Sequence, residues 1–261
     1  MKILMLGDIC GRPGRRIVRE LLPDLRRRYA PDLVVANGEN SAGGVGITSD
    51  TAEEILRAGV DVLTGGNHTW HNREAYALLD EHPRLLRPAN YPPGAPGRGA
   101  LTLETSAGLV GILNLQGRVF MGELDDPFRV ADERVDELRR ATPVILVDFH
   151  AEATSEKIAM GWHLDGRVSA VVGTHTHVQT ADERVLPQGT AYITDVGMTG
   201  PRDGIIGMDR QSILEHFLTS LPMRFTVARG ATQLNGVALE VDGDGRARRI
   251  ERIQITQEPD E

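Results

Sequence analysis

The strongest constraint on this chain is a set of short apolar runs, each breaking off at a polar residue able to bind a ligand. Lys2 to Leu6 ends in Gly7-Asp8, Leu33 to Ala36 in Asn37-Gly38-Glu39-Asn40, and Val60 to Leu63 in Thr64-Gly65-Gly66-Asn67-His68. The second half repeats the device: Val144 to Val147 runs into Asp148-Phe149-His150, Val168 to Val172 into Gly173-Thr174-His175-Thr176-His177, and Ala191 to Thr194 into Asp195. Between the runs, Ile17, Val18, Leu21, Leu22, Leu25 and Tyr29 recur at helical spacing, and Thr51 to Arg57 is a second helical stretch. Strands alternating with helices predict βαβ units in a largely parallel sheet, an α/β chain whose ligands gather beyond the carboxyl ends of its strands. The polar residues lie at those ends.

Other segments fill in the frame. Residues 83–99 are rich in Pro and Gly and predict a long surface connection, followed by a hairpin of Leu101 to Glu104 and Leu109 to Leu115 around Ala107-Gly108. A helix over Gln211 to Leu221 and two strands, Gly236 to Val241 and Ala247 to Ile255, close the fold, and the polar residues from Gln257 to Glu261 are expected to fray. With 261 residues, 40% hydrophobic and 25% charged, the chain suits one domain spanning 1–261.

A net charge of −8 argues against a broad duplex nucleic-acid footprint, though a bound cation can reverse the field locally for a small anionic substrate. One cysteine, Cys10, allows no intrachain disulfide. The opening MKILMLGDICG is too short for a secretory leader, and no stretch reaches the roughly 20 apolar residues of a membrane span. The expectation is a cytoplasmic protein without membrane contact.

Each strand-end residue has a bland reading when taken alone. Asp8 suits a turn or helix cap, His150 a satisfied core histidine, His175 and His177 two hydrogen-bonded loop residues, and Cys10 a small buried hydrophobe. Glu39 is harder to dismiss, because a charge directly after a buried strand needs a partner, and a carboxylate bridging two cations provides one. In an extended segment His175 and His177 would point the same way, toward neighbouring metals. Gly65 and Gly66 permit close backbone approach, so that Asn67 could coordinate while His68 faces substrate as an acid or charge stabiliser. The coincidence across six strand ends favours a mixed nitrogen and oxygen set without thiolate, suited to a catalytic pair of manganese, iron, magnesium or zinc ions. Two such ions, bridged by a carboxylate and a water, would activate hydroxide for attack on phosphorus.

In order along the chain, Gly7-Asp8, Gly66-Asn67-His68, His150 and Gly173-Thr174-His175-Thr176-His177 resemble the motifs of the calcineurin-like metallophosphoesterases. Cys10 stands where that pattern puts the histidine of an Asp-x-His pair, and Asn37-Gly38-Glu39-Asn40 replaces Gly-Asp-x-x-Asp. Those departures, with GGNHTW, GTHTHVQTAD and TDVGMTGPRDGIIG, look like the YmdB-like branch, and the resemblance covers nearly the whole chain. It implies a four-layer α/β/β/α sandwich and hydrolysis of cyclic nucleotides, chiefly 2′,3′-cyclic and in some members 3′,5′-cyclic monophosphates. Carried over by position, Asp8, Glu39, Asn40 and His177 would surround one metal, and Glu39, Asn67, His150 and His175 the other. His68 would protonate the leaving ribose oxygen or stabilise the developing charge. Losing the Asp-x-His histidine leaves an oxygen-rich shell that favours iron or manganese, divalent or mixed-valence, over magnesium or zinc.

Arg12, Arg202 and Met198-Thr199-Gly200 are expected in loops flanking the site, as substrate contacts; Arg12 equally suits an exposed helix start and Arg202 a loop salt bridge. Two other functions compete with the cyclic-nucleotide reading. One keeps both metals and acts on linear RNA or DNA ends or phosphomonoesters. The other is a regulatory metal-binding protein working through a partner, such as an RNA-processing enzyme or a further copy of the chain.

Overall fold

The computed structural model describes residues 1–259; Asp260 and Glu261, the end of the tail expected to fray, lie outside the described residues. Along the described chain come β1 (Lys2–Leu6), β2 (Asp8–Ile9), α1 (Gly11–Tyr29), β3 (Leu33–Asn37), α2 (Ser49–Arg57), β4 (Val62–Thr64) and α3 (Ala75–Glu81). Then follow β5 (Ala100–Thr105), β6 (Gly108–Gln116), α4 (Pro127–Arg139), β7 (Ile145–His150), α5 (Thr154–His163), β8 (Ala170–Thr174), β9 (Arg184–Val185) and β10 (Ala191–Ile193). The last elements are β11 (Met198–Pro201), α6 (Arg210–Thr219), β12 (Thr232–Val241) and β13 (Ala247–Gln257).

Alternation of side chains along each strand sorts the apolar residues into layers. In β1 and β3, Leu4, Leu6, Val34 and Ala36 face outward onto the α1 stripe of Ile17, Val18, Leu22 and Leu25. Their neighbours Ile3, Met5, Leu33 and Val35 face inward and meet Val110, Ile112, Leu146 and Val172 of the second sheet. The outer face of that sheet, through Leu113, Leu115, Val147 and Phe149, receives Val130, Val135 and Leu138 of α4 and Met160 of α5. The result is the α/β/β/α sandwich the resemblance implies.

The two sheets are the pair the sandwich implies, but each is mixed rather than largely parallel. One runs β2-β11-β12-β1-β3-β4 with β13 beside β12, and the other β5-β6-β7-β8-β10-β9. Parallel pairing survives in the centres, β1 with β3, β3 with β4, β6 with β7, β7 with β8 and β8 with β10, and a helix crosses over in each connection but the last. The closing strands add antiparallel, β12 onto β1 with Leu6 opposite Gly236. Residues 83–99 are also less superficial than expected. Leu85 and Leu86 are buried, bridging to Leu63 and Arg98 as the chain passes between the sheets.

Periodicity leaves out α3, α4 and α5. The case of α5 is instructive, because its buried side includes Glu156 and Lys157 alongside Met160, so the apolar repeat is interrupted by charges with buried partners. The start of α4 is fixed by Asp126, whose carboxylate accepts from the backbone N–H of Phe128 and Arg129.

Candidate metal centre

All strand ends named in the sequence, except Asp195, send their side chains into one buried cluster between the two sheets. Around the Nε2 of His150 stand Asn67 Oδ1 at 2.9 Å, Glu39 Oε1 at 3.0 Å and His175 Nδ1 at 3.1 Å. Donor atoms about 3 Å apart are the spacing that neighbouring ligands keep around a cation with bonds of about 2.1 Å. Beside this set, His177 Nε2 lies 3.7 Å from Asp8 Oδ1 and 3.2 Å from the Asn40 amide, which also reaches Glu39 Oε1 at 3.4 Å. Glu39 Oε1 therefore faces both sets. Its other oxygen is held by the backbone N–H of His68 at 2.8 Å.

The protein's own unsatisfied polar groups call for cations. Asp8 Oδ1 is fully buried yet has no hydrogen-bond partner among the described residues, and burial raises the pKa of both Asp8 and Glu39. Such carboxylates are costly unless a cation neutralises them. Burial pushes the imidazole of His150 down to about 4 and lowers His175 likewise, so both rings are neutral with lone pairs to offer. The donors fit a metal site, with Glu39, His150 and His175 offering ligand atoms close enough to share one cation. Cys10 does not join it: burial and the nearby Asp8 push its thiol up to about 12, and it is the small buried hydrophobe of the bland reading.

Hydrogen bonds behind the histidines fix which nitrogen is free. His177 Nδ1 lies 2.9 Å from the Ile206 carbonyl, which can only accept, so its Nε2 keeps the lone pair. His150 Nδ1 is 2.9 Å from the Thr174 hydroxyl, which donates to Asp148 Oδ1 at 2.7 Å. Asp148 Oδ2 accepts from Thr64 Oγ1 and Asn37 Nδ2. This carboxylate, pushed up to about 7 by burial, was not singled out from sequence, although an acid inside the buried strand ILVDFH was a legible signal.

The histidine pair reaches its partners by another route than expected. Both lie past the end of β8 with left-handed backbones, φ 99° at His175 and 65° at His177, so extended alternation does not align them. Asp195 bends the loop instead: its carboxylate accepts from the N–H and hydroxyl of Thr176 and pairs with the buried Lys157 at 2.7 Å. Non-glycine residues in this region are strained, and the strain is held by those bonds. Asp195, the sixth strand end, thus shapes the site without entering it.

The expected substrate contacts fare differently. Met198, Thr199 and Gly200 lie in β11, not a loop, and are buried beside β2 with Met198 opposite Asp8, where they hold that carboxylate's strand in place. Arg202 is exposed and turns to Glu258 at 3.6 Å. Arg12 is exposed in the first turn of α1, lining a recess with Arg16, Ala228 and Arg229. Neither arginine is among the partners of the cluster. His68 is half-buried, its ring has no hydrogen bond among the described residues, and burial lowers its pKa.

Comparison with known proteins agrees with this architecture. The chain is 53% identical over 259 residues to the 2′,3′-cyclic-nucleotide 2′-phosphodiesterase of Bacillus subtilis (strain 168), spanning 99% of this chain and 98% of that protein. A crystal structure described as a novel phosphatase of Mycoplasma pneumoniae superposes with a TM-score of 0.93 at 38% identity, covering 100% of this chain and 94% of the other. A 5′-nucleotidase precursor of Thermus thermophilus, 14% identical, shares the fold with a TM-score of 0.61 over 99% of this chain and 55% of its own. The YmdB-like protein family matches residues 4–253, and with that match this chain belongs to the YmdB-like protein family.

Proposed function

We propose that this protein is a metal-dependent phosphodiesterase that opens 2′,3′-cyclic nucleotides to monophosphates. The carrying observation is the convergence of Glu39 Oε1, Asn67 Oδ1 and His175 Nδ1 on His150 Nε2. The Bacillus subtilis relative's name supports the choice of diester. Asp8, Glu39, Asn40 and His177 would hold one metal, and Glu39, Asn67, His150 and His175 the other. When bound, the pair supplies Lewis acidity toward the phosphoryl oxygens and lowers the pKa of the attacking water.

The chain's own groups do the rest. Glu39 would offer its carboxylate to both positions and is oriented by the His68 N–H. The two imidazoles present lone pairs because Ile206 and Thr174 occupy their other nitrogens. The unbonded ring of His68 is free to turn to the leaving ribose oxygen, and an anionic phosphoryl group beside it offsets the lowering caused by burial. General acid help of this kind is worth about 10²–10⁴ in rate.

An oxygen-rich donor set, with the Cys10 thiol held protonated, favours iron or manganese over zinc. Among the described residues no helix is long and apolar enough to cross a membrane. The test is side-by-side hydrolysis of 2′,3′-cyclic and 3′,5′-cyclic nucleotides and oligonucleotide ends, with metal analysis of the same protein. The 2′,3′-cyclic diesters are expected to be turned over best. A folded Glu39→Gln variant that keeps full activity would refute the reading.

A further inference from the structure

Between β6 and α4 the chain makes a loop, residues 117–126, that rises beside the metal centre. Its first residue donates from the Gly117 N–H to the carbonyl of the ligand His150 at 3.0 Å. A methyl group at Gly117 would stand 2.6 Å from the Cβ of Ala151, whose neighbour Glu152 touches His175 Nε2 at 3.1 Å. The loop therefore springs from the rim of the site.

Both of its ends are tied. Asn90, fully buried, donates to the Gln116 and Asp125 carbonyls and accepts from the Gln116 N–H, closing the neck. The buried carboxylate of Glu156 receives the N–H groups of Arg118 and Val119. Arg118 in turn bonds Asp126 at 2.8 Å. These bonds leave one residue thrust outward. Phe120 is 88% exposed, the most exposed large hydrophobic residue described, and its backbone is left-handed with φ 62°.

A bulky side chain in that region is an outlier, and scattered apolar residues at a surface do not need one. Here a strained backbone, a closed neck and a buried carboxylate act together to present a single aromatic face. The chain turns after Arg118, and three residues span at most about 10 Å, so the Phe120 backbone stays within that distance of Gly117, which bonds the His150 carbonyl. A nucleotide whose phosphate sits at the metal centre extends its base toward the rim.

On the phosphodiesterase reading of the site, we propose that Phe120 is a stacking platform for the nucleobase of the substrate. A π-face recognises every base alike, so the platform would add affinity without choosing among them.

The experiment compares 2′,3′-cyclic AMP with the 2,3-cyclic phosphate of 1-O-methylribose, which carries the same diester and no base. Phe120→Ala is expected to raise KM for the nucleotide about 5- to 100-fold with kcat within about twofold, and to leave both constants for the base-free diester unchanged. Phe120→Trp is expected to restore the nucleotide KM. Equal losses on the two substrates, or no change on either, overturn the platform while leaving the phosphodiesterase reading intact. A wild-type chain that turns over neither compound removes that reading, and the platform with it.

Discussion

Gly66→Ala is the most direct perturbation of the metal centre, because it adds one methyl group and removes no ligand. Gly66 has no left-handed backbone to defend, so the effect is purely one of space. The added Cβ would stand 2.3 Å from both Cδ2 and Nε2 of His150 and 2.5 Å from Glu39 Oε2. Ordinary carbon contacts begin near 3.5 Å, so the His150 ring and the Glu39 carboxylate must each retreat by about an ångström. Ligand distances tolerate only about 0.2 Å, so the retreat breaks coordination at the position the two residues share. Overpacking should cost about 1–3 kcal/mol of stability, and misplacement by about 1 Å should cost roughly 10²-fold or more in kcat/KM. Metal per chain by atomic spectroscopy, cyclic-nucleotide hydrolysis and thermal melting, read on the same sample, separate these effects. Gly243→Ala, where a methyl meets nothing within 4 Å, is the control and should behave as wild type. A Gly66→Ala protein that holds its full metal complement and turns over normally would show that His150 and Glu39 do not share a metal.

Lys157→Met strands the buried Asp195 carboxylate and should cost about 3–5 kcal/mol by chemical denaturation, with loss of metal as the Thr176 loop relaxes. Thr174→Val removes the hydroxyl between Asp148 and His150 and should weaken metal binding about 10–100-fold in a chelator competition, whereas Thr174→Ser should retain it. Asp126 is raised by burial but lowered more by the N–H groups of Phe128 and Arg129 and by Arg118, so its folded pKa lies below the ordinary 3.8. Its contribution is therefore present above that value and lost as pH falls through the folded pKa. The stability gap between wild type and Asp126→Ala should be steady above pH 5, at about 0.5–2 kcal/mol, and close below about pH 4 in urea melts.

The sequence by itself determined the α/β class and marked out the polar residues that the fold brings together. Both rest on local rules: apolar runs of strand length form strands, and a polar residue that ends each run lies at the edge where ligands bind. Glu39 was legible for the same reason, since an acid placed after a buried strand needs a cation. The way these residues meet was not legible. The first sheet is mixed because β12 and β13 return antiparallel, and the pairing of β12 with β1 joins distant residues that no local pattern encodes. The helix α5 was hidden because Glu156 and Lys157 interrupt its apolar face, and only their tertiary partners make that burial tolerable. His175 and His177 reach their partners through left-handed backbones that Asp195 holds in place, rather than through the alternation of an extended strand. Asp148 and Thr174 gain their roles only when β7 and β8 lie side by side, with His150 opposite Thr174. Side-chain chemistry is local and can be read residue by residue. Which lone pair faces the metal, and which carboxylate stays outside its shell, depends on hydrogen bonds between residues far apart in the chain, and tertiary packing alone creates those.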